Sequence, residues 1–101
     1  MVTIENKGTR IEAAFKGRMD ALATPKLNEI LESDPVLLSR NPGNELVFDL
    51  TEVDYIASSF IRLCVNYARQ SGPGGFAITN CQPFVKKTFK ISGLDEILNI
   101  R

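Results

Sequence analysis

Along the first seventeen residues apolar and polar positions alternate. "MVTIENKG" and "TRIEAAFKG" each carry the two-residue period of a half-buried strand, and Lys7 and Gly8 between them read as a tight turn. The chain therefore opens with a predicted β-hairpin, whose second strand Gly17 is expected to end. In "RMDALATPKLNEILES" the period changes to that of a helix. Leu27, Ile30 and Leu31 share one face, Lys26, Glu29 and Glu32 lie outside, and Thr24 followed by Pro25 supplies an N-cap and a first helical position. Pro35 stops or redirects this helix, and "SRNPGN" is a loop by its turn residues. "NELVFDL" is a short apolar run suited to a buried strand. Residues 59–70 return to helical spacing, and "GGFAITNC" is another β run. Pro83 opens a last helix with Phe84, Val85, Thr88 and Phe89 on one side. Gly93 after Ser92 fits a left-handed C-terminal cap with Leu94 folding back onto it. "EILNI" closes the chain as a short strand or extended tail.

The order is hairpin, helix, strand, helix, strand, helix. Strand–helix–strand units imply parallel neighbours joined by right-handed crossovers. The expected fold class is α/β: one domain over residues 1–101, with a small mixed β-sheet covered mainly on one side by helices. Apolar residues make up 44% of the 101, enough to fold around a single core. Twelve basic and 12 acidic side chains balance to zero net charge, which argues against a nucleic-acid or anionic-membrane surface. Lys86, Lys87 and Lys90 read as a solvated helix face. No apolar run approaches the roughly 20 residues that span a bilayer, and the N-terminus lacks the apolar stretch of a signal peptide. A cytoplasmic location without membrane insertion is the expectation. There Cys64 and Cys81, both in apolar surroundings, are expected to be buried and reduced. With no histidine and no Cys-x-x-Cys, neither metal nor cofactor is expected.

Candidate chemistry gathers in "VFDLTEVDYIASSFIRLCVNYARQ", residues 47–70, where Ser58 and Ser59 stand at the seam between strand and helix. One serine there is explained by N-capping, worth about 1 kcal/mol. A second is explained less simply. A hydroxyl at a helix start lies among unpaired N–H groups and the positive end of the dipole, a favourable place for a phosphate that adds about two negative charges. Nucleophilic catalysis by serine needs a base, normally histidine or lysine, and neither a histidine nor a Gly-x-Ser-x-Gly elbow is present. Asp49, Glu52 and Asp54 read as solvated acids of a strand-to-helix loop. "SGPGG" lacks the closing Lys-Ser/Thr of a phosphate-binding loop. The reading is therefore not an enzyme. In the helix that follows, apolar residues cover an arc of about 200°, wider than a one-sided surface helix needs. Ile61, Cys64, Val65 and Ala68 suffice as its core stripe. Phe60, Leu63 and Tyr67 lie along the edge near the serines, to pack on a neighbouring helix or to form a partner-binding strip.

"LVFDLTEVDYIASSFIRLCVNYARQ" resembles the central signature of the anti-sigma-factor antagonists, the STAS domains. In these an apolar strand ends in Asp-Leu, an acidic loop follows, and Asp-Ser-Ser-Gly-Leu opens a helix. "FKGRMDALATPKL" is similar to the family's Gly-x-x-Asp segment, and "PFVKKTFKISGLDEIL" to its last helix with the Ser-Gly-Leu ending. The resemblance implies a partner-switching protein. It would bind an anti-sigma factor that is also a serine kinase of the histidine-kinase-like ATPase type, and a PP2C-type phosphatase would reverse the modification. It makes Ser59 the phosphate acceptor, with Ser58 as the second choice. It makes Asp20, Ser58, Ser59, Phe60, Leu63 and Tyr67 the partner-binding surface. Two positions depart from the family pattern. Ala57 replaces an Asp able to orient the hydroxyl, and Phe60 replaces a Gly, adding bulk beside the acceptor. The alternative is an accessory STAS subunit of a lipid- or anion-transport complex, in which the serines only cap a helix.

Overall fold

The computed structural model describes residues 1–41 and 43–101. Strand β1 (Val2–Asn6) pairs antiparallel with β2 (Arg10–Met19). The Lys7 N–H donates to the Arg10 carbonyl at 2.8 Å and closes the hairpin. Helix α1 (Ala23–Ser33) follows, then a short α2 (Pro35–Leu38). Pro35 redirects the chain rather than simply stopping it: the Asp34 side chain accepts hydrogen bonds from the Val36 and Leu37 N–H groups and starts a new turn. Asn44 N–H reaches the Asn41 carbonyl in the loop expected from "SRNPGN", whose Pro42 lies outside the described residues. Strand β3 (Glu45–Ile56), helix α3 (Ser58–Ser71), strand β4 (Phe76–Thr79) and helix α4 (Pro83–Ile91) complete the order. The sheet runs β1-β2-β3-β4, with β2, β3 and β4 mutually parallel, which is the mixed α/β sheet expected.

One face of this sheet carries the core. The inward positions of the strands, among them Ile11, Ala13, Phe15, Leu46, Phe48, Leu50, Phe76 and Ile78, join one apolar cluster with Leu27 and Leu31 of α1 and Val85 and Phe89 of α4. Phe48 is its centre. Phe15 and Phe76 meet its ring edge-on at 4.8 and 4.9 Å, and Tyr67 approaches at 5.8 Å. The alternate positions of the sheet, Thr3, Glu5, Glu12, Ala14 and Asp49, are polar or small, as a half-solvated sheet requires.

Several boundaries differ from the sequence pattern. Gly17 does not end β2. It sits at φ 98° beside a register shift, where a left-handed residue lets the strand bend and continue to Met19. The acidic segment after Leu50 is strand rather than loop. Between the Ala14/Asp49 and Met19/Ile56 pairs β3 spends two residues more than β2, so it bulges twice. Its inward residues there are Leu50, Val53 and Ile56, three apart instead of two, which is why alternation failed to reveal it. Ile30 and Phe84 are exposed, one place off the buried stripes of their helices. Cys64 is buried as expected, whereas Cys81 is only half-buried, and both are free thiols. Burial, tempered by Lys86, pushes the Cys81 thiol up to about 11, so it is protonated at neutral pH. Gly93 takes the left-handed conformation expected of it, and its N–H reaches the Lys90 carbonyl at 3.0 Å. The tail contributes one parallel bridge, Ile78 to Ile100. Among the described residues no helix is long and apolar enough to cross a membrane, and no group of three or more His, Cys, Asp or Glu is placed to hold a metal ion.

The bulged stretch of β3 is pinned to the segment that follows β4. Asp49 Oδ1 accepts from the Thr51 hydroxyl (2.6 Å), the Thr51 N–H (3.0 Å) and the Asn80 amide (3.3 Å), and the Gln82 amide donates to the Thr51 carbonyl at 3.1 Å. Partial burial alone would raise the Asp49 pKa. The donors from Thr51 and Asn80, with the charge of Lys7, outweigh it and hold the carboxyl below its ordinary value. A depressed carboxyl stabilises the fold above its unfolded pKa, and that contribution is lost as pH falls through the folded value. Asp49→Asn, which keeps an acceptor for the Thr51 N–H, is expected to flatten the fall of the urea midpoint as pH drops below the ordinary carboxylate range of about 4. Equal slopes for the two proteins in that window would refute this role.

Candidate functional site

Parallel pairing of β2 and β3 persists to their last residues. Met19 stands opposite Ile56, and beyond them the Ala57 N–H donates to the Met19 carbonyl at 2.9 Å. The two chains therefore leave the sheet side by side, one into α1 and the other into α3. Asp20 begins the first exit. Its Oδ1 accepts the Ala23 N–H at 2.9 Å, and its carbonyl accepts both the Thr24 N–H (3.1 Å) and the Thr24 hydroxyl (2.8 Å). Asp20, not Thr24, is thus the capping residue of α1. Thr24 lies inside the first turn, ahead of a proline that has no N–H to place. The other Asp20 oxygen lies 3.9 Å from Arg18 Nε, and the Arg18 guanidinium rests 4.3 Å from the centre of the Tyr55 ring.

At the second exit Ala57 holds the N-cap position of α3 in extended backbone (φ −97°, ψ 165°) and offers no side-chain acceptor. Neither serine caps the helix, contrary to the simplest reading of the sequence. Ser58 is exposed, and Ser59 is half-buried. The Ser59 hydroxyl donates to Thr24 Oγ1 at 3.1 Å, joining residues 35 apart in sequence. Chemistry fixes the direction of this bond. The Asp20 carbonyl is an acceptor only, so the Thr24 proton goes to it and Thr24 must accept from Ser59. Ser59 also lines an open groove.

This groove, of about 240 Å³ between α1 and α3, is lined by Ser59, Thr24 and Leu63 with Asn28, Arg62 and Asn66, and by no carboxylate. Through Asn28 and Asn66 it continues into a second cavity of about 280 Å³ that contains Tyr67, Glu32 and Arg40. Burial, reinforced by Glu32 and opposed by Arg40, raises the Tyr67 pKa. Tyr67 and Ser59 thus lie along one groove, two helical turns apart.

Phe60 does not share that surface as expected, whereas Leu63, though largely buried, lines the groove beside Ser59. Phe60 is 0% exposed and meets Phe15 edge-on at 5.4 Å, and Leu63 is 4% exposed. The buried stripe of α3 is Phe60, Leu63, Cys64 and Ala68, spaced i, i+3, i+4, i+8, while the expected core members Ile61 and Val65 are half-exposed. Bulk at position 60 is therefore absorbed inward. Ile61 and Val65 instead form, with Leu94, the floor of a shallow hollow flanked by Arg62 and Arg69, with Ser58 at its end. Reading the sequence missed this hollow, although arginines seven apart beside the apolar stripe were a signal for it. It also missed Thr24 as the partner of Ser59.

A family model described as the STAS domain matches residues 9–101. A search of curated protein sequences finds no significant match. Among solved structures, an anti-sigma factor antagonist from Mycobacterium paratuberculosis superposes with a TM-score of 0.84 at 20% identity, over 99% of this chain and 83% of that one. An anti-sigma-factor antagonist (STAS) domain protein from Planctomyces limnophilus gives 0.81 at 17% identity, over 99% and 87%. The anti-sigma factor antagonist SpoIIAA in its unphosphorylated form gives 0.74 at 17% identity, over 100% and 88%. At these identities the likeness establishes the fold.

Two substitutions test the local analysis by urea unfolding. Phe60→Ala removes a fully buried ring and is expected to cost about 3–5 kcal/mol; a cost below about 1 kcal/mol would mean that the ring is not in the core. Ala57→Asn supplies the missing acceptor at a position whose backbone already suits a cap, and is expected to add about 1 kcal/mol. Asparagine is chosen over aspartate because Asp20 lies beside it.

Proposed function

The chain belongs to the STAS-domain family, and on that footing we propose that it is a cytoplasmic, non-enzymatic binding module: an anti-sigma-factor antagonist regulated at Ser59. In its unmodified form it docks on an anti-sigma factor that is also a serine kinase of the histidine-kinase-like ATPase type. The kinase transfers the γ-phosphoryl group of ATP. The Ser59 Oγ–P bond forms as the P–O bond to ADP breaks, and the hydroxyl proton, turned away from Thr24 Oγ1 as the partner docks, passes to a base on the partner, since no carboxylate lines the groove. The phosphate then repels the partner, and a PP2C-type phosphatase restores the free hydroxyl.

One observation carries this reading. Ser59 stands at the start of a helix, half-buried and lining an open groove, where an incoming phosphoryl donor can reach its hydroxyl. That neither serine caps α3 also weighs against the transport-subunit alternative, which leaves them capping alone. The docking surface we propose comprises Ser58, Ser59 and the 20–22 turn. In that turn Asp20 holds the backbone and Leu22 is 90% exposed. Tyr67 lies further along the same groove. Leu63 lines the groove beside Ser59, and Phe60 supports the surface from beneath.

The experiment uses a histidine-kinase-like serine kinase purified from the same genome. Ser59→Ala is expected to stay bound in a pull-down. Ser59→Asp is expected to bind at least about tenfold more weakly, a difference of about 1.4 kcal/mol that a like-charge juxtaposition at an interface readily exceeds. Equal affinities for the two variants would end the phospho-switch reading. Docking on a transporter ATPase without phosphate uptake would favour the accessory subunit.

A further inference from the structure

Ser59 belongs to a chain of hydroxyls. Its proton goes to Thr24 Oγ1, and the Thr24 proton goes to the Asp20 carbonyl. Thr24 is 7% exposed, so this chain runs beneath the surface and connects the start of α3 to the first turn of α1. Position 57, the nearest place for a carboxylate that would orient Ser59, is an alanine. The orienting contact comes from the opposite helix instead.

We propose that Thr24 is the positioning residue of Ser59 and also the sensor of its modification. This rests on the reading of Ser59 as phosphate acceptor. Before modification, Thr24 Oγ1 accepts the Ser59 hydroxyl hydrogen bond and so fixes where the Ser59 oxygen sits in the groove wall. After modification, the ester oxygen has no proton to give, and the Thr24 oxygen faces a dianionic group with its own lone pair. Rotation about the Thr24 Cβ–Oγ1 bond removes this conflict by turning the hydroxyl proton from the Asp20 carbonyl to a phosphate oxygen. The new bond is charge-assisted and stronger than the one given up. The Asp20 carbonyl keeps the Thr24 N–H at 3.1 Å and loses its second donor. The turn that presents Leu22 is thereby coupled to the state of Ser59. Arg62, which also lines the groove, supplies the counter-charge.

The test needs no kinase. Phosphoserine is placed at position 59 of the full chain during translation. Its second ionisation is followed by ³¹P NMR in native buffer and in concentrated urea, and the amides of residues 20–24 are followed in ¹H–¹⁵N spectra. In the native protein the ionisation is expected to fall by about half a unit or more below the unfolded value near 6, with shifts of the 21–24 amides relative to the unmodified chain. Thr24→Val should raise that ionisation back towards the unfolded value and abolish the amide shifts, and Thr24→Ser should restore both. Arg62→Gln should raise the ionisation while leaving the amide response intact. Thr24→Ala carries the same comparison if the valine variant does not fold. Identical ionisation in buffer and urea, or a full amide response without the Thr24 hydroxyl, would overturn the proposal. Because the phosphate is installed rather than enzymatic, these outcomes are independent of whether a kinase recognises the domain. A failed pull-down with an intact Thr24 response would remove the partner and keep the sensor.

Discussion

The hydrogen bond from the Ala57 N–H to the Met19 carbonyl, at 2.9 Å, is the last rung of the parallel ladder between β2 and β3, and the site exists because of it. A backbone bond of this kind contributes only about 1 kcal/mol of net stability. Its importance is positional. It forces the two exits from the sheet to lie together, so that the turn starting at Asp20 and the helix starting at Ser58 share a rim. Were β3 to end at Leu50, the serines would begin a helix held only by its core contacts, with no fixed relation to α1. The two bulges make the register possible, since they let β3 use its extra residues and still finish opposite Met19.

This dependence explains what was legible in the sequence and what was not. The hairpin, the three long helices, β4 and the Gly93 cap each follow from a local signal: a clean period of two, a clean period of 3.6, or a residue that only one conformation suits. The second half of β3 has no such signal. Its inward residues fall at 50, 53 and 56, a spacing that fits neither regular structure, and its acids look like a loop. Only pairing with β2 makes it a strand, and pairing is not a local property. The short α2 was hidden for a related reason. Pro35 reads equally as the end of one helix or the first residue of another, and the Asp34 cap that decides between them was outweighed by the proline.

The site was legible in kind and partly misplaced in detail. That a hydroxyl pair opens a helix could be read from residue types and spacing, whereas the nearness of Asp20 came only through the resemblance to the STAS domains. Which side of α3 faces the sheet could not. Apolar residues cover about 200° of that helix, so the stripes from Phe60 and from Ile61 fit the period equally well. The choice was made by Phe15, whose ring on β2 receives Phe60 edge-on. The same rotation turned Ile61 and Val65 outward, so that Ser58 and Ser59 open onto different hollows. The capping roles moved for comparable reasons. Asp20 lies three residues before the first helical N–H it satisfies, and Thr24 is drawn to a partner on another helix.

A charge-operated surface needs a body that does not yield when the charge arrives, and the burial of Phe60 and Leu63 supplies one. Both belong to the core cluster: Phe60 meets Phe15, which in turn meets Phe48, and Leu63 closes the core beneath the groove that Ser59 lines. Close-packed interiors resist displacement because any gap forfeits contact energy on every side. On the proposed reading, two charges added at Ser59 would therefore alter what the rim repels without moving the helix that carries it. Screening sets the reach of that repulsion: at physiological salt it fades over about 8 Å. A partner feels it only by touching the rim itself, which makes the position of Ser59 at the shared exit of β2 and β3 matter more than the net charge of the domain, which is zero before any modification.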